Sequence, residues 1–305
     1  MSKINISFIG TTKITNHHII SAKYNNFKIH SICSVTKKSK FLLKIAKKHK
    51  IKKTYRNIKK MIEETSNIKN FAYVLTCNEK YNDRIINLLR KTKKKILIEK
   101  PVFKNYSLFK KNNISKKFIF VGFNRTTYLN LIYLKKKFKK EKLFNVVCSI
   151  PENNNKDIIN NSCHTISILF MLFGELKIDK ILGNKFFKTV LLKSNNSSII
   201  INFNFGAPEN FEIKIFNKNI VYQLKPLERL QIFDKIKLTK KNNLNFYEPS
   251  LSYDKFEPSL KEFKPGFIKQ YFLFKQFILN DNLLDENSFD RAKKIYYICE
   301  KISKF

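Results

Sequence analysis

The chain has 305 residues, enough for two domains of ordinary size, and its 43% hydrophobic and 14% aromatic content excludes a disordered polypeptide. A formal net charge of +38 points at first to nucleic acid or an anionic membrane as partner. Only six of the 61 basic residues are arginine, however, the side chain whose planar fork grips phosphate and guanine. Lysine, asparagine, isoleucine, phenylalanine and tyrosine abound while tryptophan is absent. All the favoured residues have A/T-rich codons, so genomic drift accounts for the charge and nucleic acid is not the expected partner. The longest apolar stretch near a helix, Ile166 to Phe173, is too short to span a bilayer. Five cysteines (Cys33, Cys77, Cys148, Cys163 and Cys299) lie without CxxC spacing, which argues against a disulfide framework and a metal site. A reduced, cytoplasmic protein is expected.

Over the first 125 residues, short apolar runs alternate with amphipathic stretches. Ile4 to Ile9 reads as a strand rather than a signal peptide, because Asn5 and Ser7 interrupt it and no cleavage-like site follows. Helical spacing follows at Ile14, His18, Ile19 and Ala22, then a strand over 29–33 and a helix carrying Phe41, Leu42, Ile45 and Ala46. A short helix at Ile58, Met61 and Ile62 precedes a strand over 71–75. The next helix holds Ile85, Ile86, Leu88 and Leu89, and strands over 96–98 and 118–121 close the series. Strands buried on both faces and separated by helices predict a Rossmann-like, doubly wound parallel sheet over residues 1–123.

Residues 124–305 follow a different grammar. A helix over 128–138, a strand over 146–150 and a helix from His164 to Phe173, stopped by Gly174, lead into strands at 199–205, 211–216, 220–224 and 230–238. Ile201, Phe203 and Phe205 alternate with Asn202 and Asn204, as in an antiparallel strand with one wet face. Helices over about 266–279 and 288–302 end the chain. The prediction is an open, mainly antiparallel α+β domain with helices on one face, its last helix able to pack back on the first domain.

The first strand–turn–helix is where a dinucleotide fold holds a pyrophosphate at a helix N-terminus. Gly10 occupies the first glycine position of that turn, but Thr12 and Thr15 stand at the second and third. The second strand ends in Ser34, Thr36 and Lys37, and no acid appears between Met1 and Lys60 to hydrogen-bond a ribose 2′-hydroxyl. That favours a 2′-phosphate, hence NADP over NAD.

Further stations follow in order: Ile96-Leu97-Ile98-Glu99-Lys100-Pro101 at a strand end, Gly122-Phe123-Asn124-Arg125, and Asn160-x-Ser162-x-His164 opening an apolar helix. Here the sequence resembles the glucose–fructose oxidoreductase, inositol dehydrogenase and rhizopine-catabolism (Gfo/Idh/MocA) family, with its E-K-P, G-F/H-N-R and D-x-G-x-H motifs. The segments Leu224-Lys225-Pro226-Leu227-Glu228 and Lys264-Pro265-Gly266-Phe267, and the start of the last helix at Ser288 to Ala292, extend the resemblance over essentially the whole chain.

The resemblance implies an NAD(P)-dependent oxidoreductase acting on a hydroxyl or ketone of a sugar derivative, such as a nucleotide-linked sugar. It implies Lys100 beside the reacting carbon, His164 exchanging the hydroxyl proton and Glu99 orienting the lysine. It gives cofactor contacts to Gly10, Thr11, Thr12, Ile14, Ser34, Thr36, Lys37, Thr76, Asn78, Glu99, Lys100 and Asn124, and substrate contacts to Lys100, Arg125, Asn160 and His164. It further implies a homo-oligomer formed through the second-domain sheet. Departures are Asn160 for the family's aspartate, Ser162 for its glycine, and Cys77 and Tyr81 for the proline and histidine of T-P-x-x-x-H. They keep a second reading open, in which a catalytically degenerate member serves as a binding or regulatory subunit.

Overall fold

The structure is a computed structural model that describes residues 3–36, 39–112, 116–139, 141, 143–195, 197–242, 244–258 and 264–305. Two compact units emerge, one of Met1–Thr127 with Ser259–Tyr297, the other of Tyr128–Pro258 with Ile298–Phe305.

The first unit runs β1 (Asn5–Ile9), α1 (Lys13–Tyr24), β2 (Lys28–Cys33), α2 (Phe41–His49), β3 (Lys53–Tyr55), α3 (Ile58–Thr65), β4 (Phe71–Leu75), α4 (Asn82–Leu89), β5 (Lys95–Glu99), α5 (Tyr106–Lys111) and β6 (Ile119–Gly122). The six strands form one sheet in the order β3-β2-β1-β4-β5-β6, every pair parallel. Side chains that sequence reading placed on strands, Ile6, Phe8, Ile32, Val74, Leu97 and Phe120, are fully buried. At roughly 1.5–3 kcal/mol each, such burial is the main force holding the sheet to its helices. Helix starts are written locally: Asn57 accepts from the amides of Lys59 and Lys60 to cap α3, and Asn105 accepts from Leu108 to cap α5. A late helix, α9 (Phe267–Asn280), belongs to this unit, and its Tyr271, Phe274 and Phe277 join the same core as Phe27 and Phe120.

The second unit begins with α6 (Leu129–Phe138) and β7 (Phe144–Ile150). A single turn, α7 (Asn155–Asp157), passes through a π-helical turn over Ile158–Ser162 into α8 (Cys163–Phe173), which stops at Gly174 with φ +78°. Then come β8 (Lys177–Gly183), β9 (Phe187–Ser194), β10 (Ser197–Asn204), β11 (Glu212–Asn217), β12 (Ile220–Leu224), β13 (Arg229–Lys241) and β14 (Leu244–Phe256). Their sheet has the order β14-β13-β12-β11-β7-β10-β9-β8 and is antiparallel except for β7 with β10. The expected alternation on β10 holds, with Ile201 and Phe203 buried against half-buried Asn202 and Asn204. Strands β3, β8, β9 and β14 have no counterpart in the sequence reading. The last helix, α10 (Phe289–Lys304), contributes residues to both units.

Candidate active site

In the first unit the strand order reverses between β1 and β4, and in such sheets ligands sit beyond the strands' C-terminal ends at that point. The β1–α1 turn lies on one side of it and the turn after β4 on the other. Gly10 joins them at very close range. With φ +128°, it holds a position where a Cβ would stand 2.4 Å from the Cys77 nitrogen and 2.5 Å from the Thr76 carbonyl carbon. Its amide donates to the Cys33 carbonyl at 2.9 Å, tying the turn to the end of β2 as well.

Three threonines complete the junction. Thr12 is the N-cap of α1, and its amide donates to Thr15 Oγ1 at 3.1 Å. The Thr12 hydroxyl donates to the Thr76 carbonyl at 2.8 Å, and the Thr15 and Thr76 hydroxyls meet at 2.8 Å. Thr11 Oγ1 meets Ser39 Oγ at 2.9 Å, and Ile14 lies in the first helical turn. No acidic residue occupies that turn; the Thr15 amide donates to the Thr12 carbonyl at 3.1 Å, while the amides ahead of it, at the open start of a helix, are donors that suit an anionic pyrophosphate. Beside it, a cavity of 390 Å³ is lined by Thr11 and Thr12 of the β1–α1 turn, by Lys13 and Asn16 on α1 and by Phe41, Lys44, Ile45 and Lys48 on α2, with no acid among them.

After β2, Ser34 is buried and its hydroxyl donates to the Thr36 carbonyl at 2.7 Å, so it serves its own turn. Lys37 lies outside the described residues. After β4, Asn78 caps a short 3-10 turn by accepting from the Lys80 amide at 3.3 Å. Burial pushes the Cys77 thiol up to about 12, leaving it a neutral, unreactive group.

Glu99 and Lys100 emerge at the end of β5, both half-buried. Glu99 Oε1 lies 3.1 Å from Nε2 of His18, a fully buried residue of α1, and His18 Nδ1 lies 3.0 Å from the Tyr271 hydroxyl on α9. After β6, Asn124 Nδ2 donates to the Pro265 carbonyl at 3.1 Å, which fastens the start of α9, and Arg125 follows half-buried in the same 3-10 turn. Gly266 is bare for a reason: at φ +84° a Cβ there would stand 2.2 Å from the Asn124 carbonyl oxygen.

In the second unit, Asn160 is exposed on the π-helical turn while His164 is buried in the first turn of α8. Glu152, also buried, accepts from the Ser162 hydroxyl and from Asn161 Nδ2 at 3.3 Å, holding the turn that carries Asn160. Sequence reasoning missed His18, Tyr271, Gln270 and Glu152. His18 appeared only as one residue on an apolar helix face, and the others stand outside the recognised motifs. Among the described residues no cluster of three or more histidine, cysteine or acidic side chains could hold a metal, and no helix is long and apolar enough to cross a membrane.

Strand order 3-2-1-4-5-6, a positive-φ glycine at the first turn and a donor-rich helix start define a dinucleotide-binding fold. Residues 4–112 match the sequence model described as oxidoreductase family, NAD-binding Rossmann fold (GFO_IDH_MocA). The fold likeness extends to the full length of solved dehydrogenases. A Clostridium difficile dehydrogenase, MviM, is 18% identical with TM-score 0.73, with 99% of each chain covered. An oxidoreductase from Thermotoga maritima is 13% identical with TM-score 0.77, covering 99% of this chain and 96% of its own. The UDP-N-acetylglucosamine 3-dehydrogenase GnnA from Acidithiobacillus ferrooxidans is 10% identical with TM-score 0.73, covering 100% of this chain and 98% of its own. Among curated proteins, none matches by sequence.

Proposed function

We propose that the protein transfers a hydride between a nicotinamide coenzyme and a hydroxyl or ketone carbon of a sugar carrying an anionic group, such as a nucleotide-linked sugar. The observation that carries this reading is the placement of Lys100 at the C-terminal end of β5, next to the strand-order reversal that Gly10 and Thr76 knit together. The chemistry that a nicotinamide supplies when bound is hydride transfer. The chain's own part is to hold and polarise. The first turn of α1 meets the pyrophosphate with backbone amides, and the Lys100 ammonium hydrogen-bonds the substrate oxygen and stabilises charge on it. On the family resemblance, His164 exchanges the hydroxyl proton and Asn160 and Arg125 contact the sugar. NADP is the preferred coenzyme, because the end of β2 carries no acid and the neighbouring cavity is lined by Lys13, Lys44 and Lys48. The activity of the structurally similar Acidithiobacillus enzyme, dehydrogenation of a nucleotide sugar, supports the substrate class, and a strongly basic surface would draw such an anion in. A homo-oligomer is part of the proposal. It is supported by the apolar side chains exposed on the β13–β14 hairpin, among them Ile236, Leu238, Leu244 and Tyr247.

Fluorescence titration with NADPH and NADH, followed by turnover assays over a panel of UDP-sugars, tests the reading. NADPH should bind more tightly than NADH, and Lys100→Ala should abolish turnover while leaving coenzyme affinity within threefold. Absence of binding of either coenzyme at millimolar concentration would overturn the enzyme reading. Binding with no turnover on any sugar would favour the degenerate, regulatory subunit.

A further inference from the structure

The buried groups behind Glu99 form a hydrogen-bonded chain that the reading above does not use. His18 and Tyr271 are both fully buried, on α1 and α9. The imidazole is clamped in orientation by two rings, with Phe267 edge-on at a centroid distance of 5.0 Å and Tyr271 at 5.7 Å. Its nitrogens have partners of opposite kind. A carboxylate can only accept, so Nε2 must carry a proton and donate to Glu99 Oε1. In the neutral ring Nδ1 is then an acceptor, and its partner is the Tyr271 hydroxyl at 3.0 Å. Burial pushes the Tyr271 phenol well up, so it keeps the proton that this arrangement needs.

The surroundings of Glu99 are equally constrained. A Cβ at Gly122 would stand 3.4 Å from Glu99 Oε1, 3.4 Å from Gln270 Nε2 and 3.2 Å from the Ile98 carbonyl oxygen. Gly122 therefore leaves just enough space for the carboxylate and the Gln270 amide. The Glu99 carboxylate makes no other hydrogen bond among the described residues, and the side chain is 11% exposed. With Oε1 held by His18, Oε2 remains to accept from a hydroxyl arriving from outside.

We propose that Tyr271 and His18 are positioning residues that lock one oxygen of Glu99 so that the other is presented to a hydroxyl of the bound coenzyme. This deepens the nicotinamide reading and rests on it for the identity of the ligand. The relay fixes the tautomer of His18, and the tautomer fixes the carboxylate. A purely structural role for the two residues would require packing alone and would be indifferent to the Tyr271 hydroxyl.

The full chain, labelled with nitrogen-15 in its histidines, tests the relay directly by long-range proton–nitrogen spectroscopy, with His18→Gln to assign the ring. Wild type should show a single tautomer, with the proton on Nε2 and an unprotonated, hydrogen-bonded Nδ1. Tyr271→Phe should move the Nδ1 resonance downfield as it loses its donor. The same variant should raise the dissociation constant for the preferred nicotinamide coenzyme three- to tenfold, with a melting temperature close to wild type. Finding the His18 proton on Nδ1 would overturn the relay, as would Tyr271→Phe affinity within twofold of wild type. If wild type binds neither coenzyme, the functional reading fails instead, and the ring-nitrogen resonances alone decide whether the relay exists.

Discussion

Replacing Gly10 with alanine is the most incisive perturbation of the first unit, because one methyl group meets two separate obstacles. The backbone at φ +128° lies where an L side chain is strained, at a cost of about 1–3 kcal/mol. The new Cβ would also stand 2.4–2.8 Å from the Cys77 nitrogen and from the carbonyl carbon and oxygen of Thr76. Relief of that overlap requires the β1 and β4 turns to part by about an ångström, which also strains the threonine bonds across the junction. Overpacking of this kind costs about 1–3 kcal/mol more. The total expected for Gly10→Ala is therefore about 2–6 kcal/mol, read as a lower urea midpoint by tryptophan-free methods such as far-ultraviolet circular dichroism. Gly122→Ala is the control in the same unit, since its φ is ordinary and its nearest contacts are 3.2–3.4 Å. It should cost about 1 kcal/mol. Equal effects from the two substitutions, or a loss below 1 kcal/mol for Gly10→Ala, would refute the argument that backbone contact across the switch point dictates this glycine.

Two further outcomes follow from buried ionisable groups. Burial and the nearby Lys23 hold His49 down to about 4, and its Nε2 meets Asn16 Oδ1 at 2.8 Å. Because the folded value lies below the unfolded one of about 6.5, the stability tied to His49 is present above pH 6.5 and is lost as pH falls toward 4. Unfolding free energies from urea titrations should fall over that window by up to about 3 kcal/mol more in wild type than in His49→Gln, and parallel profiles would sink the assignment. Lys188 is buried on β9 and donates to the Ile302 carbonyl at 2.9 Å, at the C-terminal end of α10 where carbonyls lack helical partners. Burial lowers its ammonium's pKa, so its contribution to stability grows as pH rises toward the unfolded value. Lys188→Met should cost about 1 kcal/mol at pH 7.5 and more at pH 9.5, whereas a variant more stable than wild type at pH 9.5 would contradict the pairing.

What was legible in the sequence was whatever carried a strong period or a backbone requirement. The parallel sheet announced itself through apolar runs such as Phe71–Leu75, buried at every position. The strands that escaped notice lacked that contrast. On β14 nearly every residue is exposed, and Pro249 sits in it, as an edge strand permits. Strand β8 forms the other edge and is mostly solvated. On β9 the inward positions are Lys188, Val190 and Leu192, so a buried lysine disguised the alternation. The candidate site divided in the same way. Gly10, Glu99 and Lys100 stood in recognisable positions. His18 and Tyr271 are 253 residues apart, and nothing local in the sequence indicates that they meet.

The changed glycine turn shows why a motif and its geometry need not erode together. Its three positions answer to three different demands. The first requires positive φ and room for a neighbouring backbone, which no other residue supplies, and it is still glycine. The third requires close packing of the helix start against the sheet. Thr15 meets it by burying its side chain in a polar pairing with the Thr76 hydroxyl, where an apolar side chain of that size would strand a buried donor. The second requires that nothing stand between the helix amides and an incoming phosphate. Thr12 carries a Cβ there, but its hydroxyl is drawn down onto the Thr76 carbonyl at 2.8 Å, which holds the side chain against the β4 turn. Thr76 is the partner of both threonines, so a single residue just after the adjoining strand β4 accommodates both departures from the glycine pattern. A turn rebuilt in this way keeps its helix start accessible while reading, letter by letter, as a damaged one.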